Sequence, residues 1–478
     1  MLKIEILQQD DVMLVHEKSL ELLEKTGIKV ESPKILELMA NAGCDVDTEK
    51  SIIKLPGALV EECIRLAPGK FILGSLDGKN DMALGEGNTY VATDGQGCFA
   101  VNGETGEKSY STMKDLCDAA RLADALDYIS CFWPIVTAGD VPDESRTLHE
   151  IVEIWRVSSK HITADCFNEE QAKYYMEILE AILGGIVEIP KRNILSVCCC
   201  PVTPLLFEGP MLEGTVKLGE AGVPVLVLPM PISGATAPMP LFSAIIQNNA
   251  ETLAGNAILQ TAHPGRPVIY GSAPGILDMS TALFCVGSPE GALENAACAQ
   301  MAKHYCMPSL ISMGGADAQA PGIQATAERM VSIVPGFMTG ADILCGVGLT
   351  GTAQNLYLEE MVIADDIVGF CKRFARGVDT GEERALTSLV AEVGPGGNFL
   401  AEESTVEYLH KGEHYMPKVF CREGDKVTED SPKKDIMRFA GSRVREILEK
   451  PAKENFSPEE SERLAAILAE ADKELQMK

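Results

Sequence analysis

Between residues 11 and 66, apolar side chains recur every three to four positions. They form three groups: Val12, Val15, Leu20, Leu22 and Leu23; Ile35, Leu36 and Met39; and Leu59, Val60, Cys63, Ile64 and Leu66. That period predicts amphipathic helices, so residues 1–88 read as a helical N-terminal region. From residue 89 the pattern changes to short apolar runs separated by longer amphipathic stretches, which signals parallel βαβ construction. Eight runs follow in order: Thr89–Thr93, Ile129–Thr137, Ile162–Cys166, Ile194–Cys200, Val225–Met230, Val268–Gly271, Leu310–Met313 and Ile343–Val347. Eight strand–helix units without a break predict an α/β fold of the closed (β/α)8 TIM-barrel type over residues 89–381, rather than a doubly wound sheet. After the first run, DGQGCFAVNGETGEKSYST reads as a glycine-rich hairpin leading to a helix capped at Ser111 or Thr112. GSPEGAL at 287–293 reads as another helix start, with Ser288 as its cap and Pro289 in its first turn. Residues 382–478 hold no further βα unit and read as an appended C-terminal helical segment packing on the barrel.

Composition narrows the function. Hydrophobic residues make up 46% and charged residues 23%, enough apolar surface for a large core. The 41 Lys and Arg against 70 Asp and Glu leave a formal charge of −29, which repels phosphate backbones and anionic lipid. No apolar run approaches the roughly 18 residues of a membrane span, and the N-terminus lacks a basic stretch followed by an apolar one. Neither nucleic acid nor membrane is expected as a partner, and a cytoplasmic location is expected. The 15 cysteines form no CxxC pair and read as reduced thiols of a reducing, even anaerobic, interior. A homo-oligomer stays open, since nothing in the chain decides the oligomeric state.

In a TIM barrel the reacting groups lie at the C-terminal ends of the strands and in the loops after them. That rule selects Asp94 and Gln96, Trp133, Asp165 and Phe167, Phe207, Asp317 and Gln319, and Thr350; the turn in VGPGGNFL would bring Phe399 to the same mouth. None of the seven histidines, and no Lys or Arg, falls at a predicted strand end, which speaks against a His-based metal site, a Schiff base or an Arg phosphate clamp. Aromatic residues are only 5% of the chain, so rings at three successive strand ends suit a cation held by ring faces, worth about 0.5–2 kcal/mol per ring. Any one ring alone more often simply fills the top layer of the barrel. Cys198 and Cys200 would share one face of a strand, an arrangement open to zinc-thiolate chemistry. Zinc wants three or four ligands, and Cys166 would have to join from another strand, so buried thiols are the simpler account. GVGLTG at 346–351 lacks the context of a dinucleotide fingerprint.

Several strings occur in order across the barrel: DLCDAARLADAL (115–126), PISGATAP (231–238), YGSAPGILDM (270–279), GSPE (287–290), GVGL (346–349) and VGPGGNFL (393–400). As a set they resemble the trimethylamine methyltransferase superfamily, in particular its members that lack pyrrolysine, since only standard residues appear here. The resemblance implies transfer of a methyl group from a quaternary amine, such as glycine betaine, proline betaine, carnitine or γ-butyrobetaine, to the Co(I) cobamide of a separate corrinoid protein. It places the chain in anaerobic one-carbon metabolism, methanogenesis or acetogenesis. Trp133, Phe167, Phe207 and Phe399, with Asp94, Asp165 and Asp317, would then hold the ammonium head, while Gln96, Gln319 and Thr350 bond the other end. No cobamide is expected to reside on this chain, which has no Asp-x-His-x-x-Gly string. A zinc-thiolate methyltransferase, or a barrel that binds a small cation without turnover, are the alternatives.

Overall fold

The computed structural model describes residues 2–424, 427–428 and 431–476. Eight parallel strands close into a barrel in chain order: β1 (Tyr90–Thr93), β2 (Cys131–Phe132), β3 (His161–Asp165), β4 (Leu195–Cys199), β5 (Val225–Val227), β6 (Val268–Ser272), β7 (Ser309–Ser312) and β8 (Ile343–Val347). Strand β8 pairs with β1 through Ile343–Tyr90 and Cys345–Ala92, and the register shifts by one residue at Gly346. All eight apolar runs are strands. β3, β4, β6 and β8 are buried at every position, because barrel strands are covered by side chains inside and helices outside. The second run keeps only two residues in the barrel, since Pro134 has no N–H for the ladder.

Each strand is followed by a helix: α1 (Met113–Ala125), α2 (Arg146–Val157), α3 (Glu169–Leu183), α4 (Gly209–Glu220), α5 (Leu241–Ala262), α6 (Pro289–His304), α7 (Ile323–Thr339) and α8 (Leu358–Arg376). Thr112 caps α1 in a reciprocal box with Asp115, and the Ser288 hydroxyl caps α6 by accepting from the Gly291 N–H. Helix α5 is buried almost all round and carries no polar stripe. The cause lies in the N-terminal region, whose helices Gln9–Lys25 and Gly57–Leu66 pack on α5. At the other end of the chain, Ile436–Leu448 packs on α8 and α1, and Pro458–Leu475 on α3 and α2. Among the described residues, no helix is long and apolar enough to cross a membrane.

The N-terminal region is not wholly helical. It also contributes short strands at Ile28–Val30, Asp45–Asp47 and Ile52–Lys54, and Ile28–Val30 pairs in parallel with Leu206–Phe207 from the loop after β4. Three-residue strands are too short for an alternating pattern to register. A second N-terminal hairpin, Phe71–Leu73 with Met82–Leu84, sends Leu73, Met82 and Leu84 into an inner cluster with Ala92, Cys131, Leu226, Ile269, Leu310 and Ile343. These side chains fill the barrel from its N-terminal end. Any cavity must therefore open at the other end.

Candidate functional site

A cavity of about 450 Å³ opens at the C-terminal ends of the strands. It exists because the inward positions there are small. Cys198 and Cys200 at the end of β4, Ala273 after β6, Ser312 on β7, Gly315 after β7 and Cys345 on β8 stand where a packed barrel carries branched bulk. Two small sheets rim the mouth. One joins Ile232–Ser233, Gly275–Leu277 and Phe284–Cys285, and the other joins Leu349–Thr350 and Asn355–Leu356 to the hairpin after β1.

Asp94, Gln96, Trp133, Asp165 and Phe167 line this cavity together. The ends of β1, β2 and β3 thus supply two carboxylates, an amide and two rings to one wall. Burial pushes the Asp165 carboxyl up to about 6; it accepts a short hydrogen bond from Gln96 Nε2. The Trp133 indole lies close enough to oppose that rise, although its Nε1 makes no hydrogen bond of normal geometry. Burial also pushes Asp94 up to about 6, against the Gly95 N–H that bonds its Oδ1 at 3.0 Å and the more distant charge of Arg329. Gly95 packs on the indole face so closely that a Cβ there would stand 2.9 Å from Trp133 Cδ1. Gln96 has φ 65°, and across the mouth Thr352 and Ala353 have φ 56° and 61°. Three non-glycine residues in the left-handed region around one cavity are the kind of strain that functional sites retain.

Cys198 and Cys200 both face the cavity, while Cys199 joins the outer core. Burial drives the Cys198 thiol well above its ordinary range and Cys200 up to about 12, so the wall they form is neutral and polarizable. Among the described residues, no group of three or more His, Cys, Asp or Glu is placed to hold a metal ion.

Five expected site residues lie elsewhere. Phe207 is fully buried in the outer core, because its strand pairs with Ile28–Val30 instead of ending at the mouth. Asp317 is a tie between loops: it accepts from the N–H groups of Val286 at 2.9 Å and Gly287 at 3.0 Å, and from Thr352 Oγ1 at 3.0 Å. Gln319 is exposed and Thr350 fully buried, and neither lines the cavity. Phe399 is exposed on the C-terminal segment, away from the cavity wall. Their places on the wall are taken by Met211, Leu228, Met230, Phe284, Val286 and Gln354. Phe284 arrives on the second strand of the excursion after β6, a hairpin that no apolar run announced.

Arg329, on α7, is fully buried beneath the loops. It pairs with Glu360 at 2.8 Å and donates to the carbonyls of Gly314, Gly346 and Leu349. It anchors the ends of β7 and β8 and does not reach the cavity.

A family model described as trimethylamine methyltransferase (MTTB) matches residues 1–476. The chain is 29% identical over 421 residues to the trimethylamine methyltransferase MttB of Desulfitobacterium hafniense, covering 87% of this chain and 83% of that one. It is 29% identical over 475 residues to a glycine betaine methyltransferase of Desulfitobacterium hafniense strain Y51, covering 99% and 98%. The solved monomethylamine methyltransferase MtmB of Methanosarcina barkeri superposes with a TM-score of 0.47 at 14% identity, covering 91% of this chain and 93% of that one.

Proposed function

Because the chain belongs to the trimethylamine methyltransferase family, we propose that it takes a methyl group from a quaternary amine and delivers it to the Co(I) cobamide of a separate corrinoid protein. The observation that carries this reading is the meeting of Asp94 and Asp165 with Trp133 and Phe167 in one cavity at the catalytic end of the barrel. An alkylated ammonium donates no hydrogen bonds, so it is recognised by ring faces and nearby negative charge. The cobamide, when its carrier is docked, would supply the nucleophile. The cavity is sized for a small amine and not for a corrin ring, in keeping with a cobamide that stays on its carrier. Exposed Phe167, Val202, Met230, Met239, Met279 and Leu283, all on loops after β3 to β6, give the mouth an apolar collar suited to a docked macrocycle.

The chain's own residues bind, orient and exclude water. A quaternary nitrogen leaves as a neutral tertiary amine, so the site needs no general acid. Positive charge on nitrogen fades as the C–N bond breaks, and an unrestrained ion pair would hold the substrate better than the transition state. The Gln96 hydrogen bond to Asp165 tempers that attraction while fixing the carboxylate's direction. Trp133 and the neutral Cys198 and Cys200 wall would then aim one methyl outward.

The test mixes the purified protein, a reduced corrinoid carrier and a panel of quaternary amines, and follows release of the tertiary amine by proton NMR. Release from at least one amine, dependent on both proteins, is expected. No release from any panel member, with binding intact, would reduce the barrel to a cation-binding protein. Loss of release on zinc chelation would instead favour thiolate–metal chemistry at Cys198 and Cys200.

A further inference from the structure

Among the described residues, the cavity wall carries two carboxylates and no Lys, Arg or His. Resting on the quaternary-amine reading, we infer that the substrate is a quaternary ammonium monocation with an uncharged tail, such as a hydroxyalkyl ammonium, and not a zwitterion bearing a carboxylate. A carboxylate drawn into a cavity this closed needs a cation or several convergent N–H donors. Arg329 has the right charge, but it is locked under the loops by Glu360 and three carbonyls. The adjacent N–H groups of Val286 and Gly287 would make a good carboxylate cradle, and Asp317 of the protein already fills it. The N–H groups of Asp317 and Ala318 next to it are in turn held by Glu328. On the wall itself, Gly95, Phe167, Ala273, Thr352 and Gln354 donate their N–H groups to protein oxygens. A substrate carboxylate would therefore enter a site already holding Asp94 and Asp165, with its best donors occupied.

An uncharged tail meets better-matched partners. The Gln354 side chain is exposed at the mouth, and the Ser312 hydroxyl lies on the wall without a protein partner among the described residues. Both can bond a hydroxyl or ether oxygen and neither carries charge. An amide and a hydroxyl discriminate sharply for a group that bonds them and offer a carboxylate too little to offset its desolvation.

Calorimetric titration of the full chain, with no corrinoid protein present, tests this directly. The probes are tetramethylammonium, choline, glycine betaine and γ-butyrobetaine. We expect choline to bind at least about tenfold more tightly than glycine betaine, the factor that 1.4 kcal/mol represents. Gln354→Lys, which adds a cation at the mouth, should narrow or invert that ratio, and the melting temperature of the variant shows that it is folded. Glycine betaine or γ-butyrobetaine binding as tightly as choline would overturn the inference and leave the methyl-transfer reading standing. No binding of any of the four would sink both.

Discussion

Replacing Asp165 by Asn separates what this carboxylate does to the fold from what it does to a ligand. Burial moves the Asp165 carboxyl from 3.8 to about 6, so keeping it ionised at neutral pH costs the folded state about 3 kcal/mol. The folded protein binds a proton here that the unfolded chain has already lost between pH 4 and 6. Stability from this group therefore falls as pH rises through that window and is level above it. Asparagine keeps an oxygen that can accept from Gln96 Nε2 and removes the charge. Asp165→Asn should thus match the parent near pH 4 and exceed it by up to about 3 kcal/mol above pH 6.5 in urea unfolding. Binding should move the other way. At an effective dielectric of about 20, a unit charge about 8 Å from the ammonium contributes about 2 kcal/mol, so the affinity for tetramethylammonium should drop roughly thirtyfold at pH 8. The parent's affinity should itself weaken below about pH 6, and the variant's pH profile should be flatter. A variant that is no more stable at pH 8 than the parent, and binds the cation equally well, would show that Asp165 is neither desolvated nor directed at the ligand.

Trp133→Leu keeps apolar bulk and removes the ring face, so cation affinity measured by calorimetry should fall by about 0.5–2 kcal/mol, up to about thirtyfold; unchanged affinity with a lower melting temperature would make the residue packing alone. Gly95→Ala should act on the same ring indirectly, since its Cβ would stand 2.9 Å from Trp133 Cδ1. A loss of about 1–3 kcal/mol in stability together with weaker binding is expected, and wild-type tryptophan fluorescence and affinity would contradict that contact. Arg329→Met leaves Glu360 buried and unpaired, so chemical unfolding should show a loss of about 3–5 kcal/mol. The double variant with Glu360→Leu should recover most of it, and failure to recover would point to the lost carbonyl bonds of Arg329 instead of the stranded charge.

The barrel was legible because its signal is repeated. Each of the eight apolar runs is long enough to stand out and each is followed by a helix, and the starts at Thr112 and Ser288 carry capping chemistry of their own. The N-terminal strands were not legible, because Ile28–Val30 and Ile52–Lys54 find their partners across the chain and are too short to show a period. That same hidden pairing withdrew Phe207 from the site. Phe207 lies eight residues beyond the end of β4, where the loop pairs Leu206–Phe207 with Ile28–Val30 and turns the ring into the outer core. Strand-end position brings a residue to the cavity where the chain leaves the barrel directly, as it does at Asp94, Trp133 and Asp165.

The cavity itself was written in what the strand ends lack, a signal that a search for reactive side chains passes over. Cys198, Cys200, Ala273, Ser312 and Cys345 are unremarkable one by one; set at inward positions of a barrel already plugged from below by Leu73, Met82 and Leu84, they leave the upper half unfilled. The protein packed around that space desolvates Asp94 and Asp165, and desolvation without an adjacent cation is what makes the wall receptive to one. The strained backbones of Gln96, Thr352 and Ala353 follow from the same demand, because short loops must turn sharply to close the cavity's sides while leaving its top open. Arg329 and Asp317 hold those loops from behind, one through carbonyls and the other through N–H groups, and so keep their own charges out of the cavity. The negative, aromatic and amide character of the site is thus a product of packing as much as of the residues that display it.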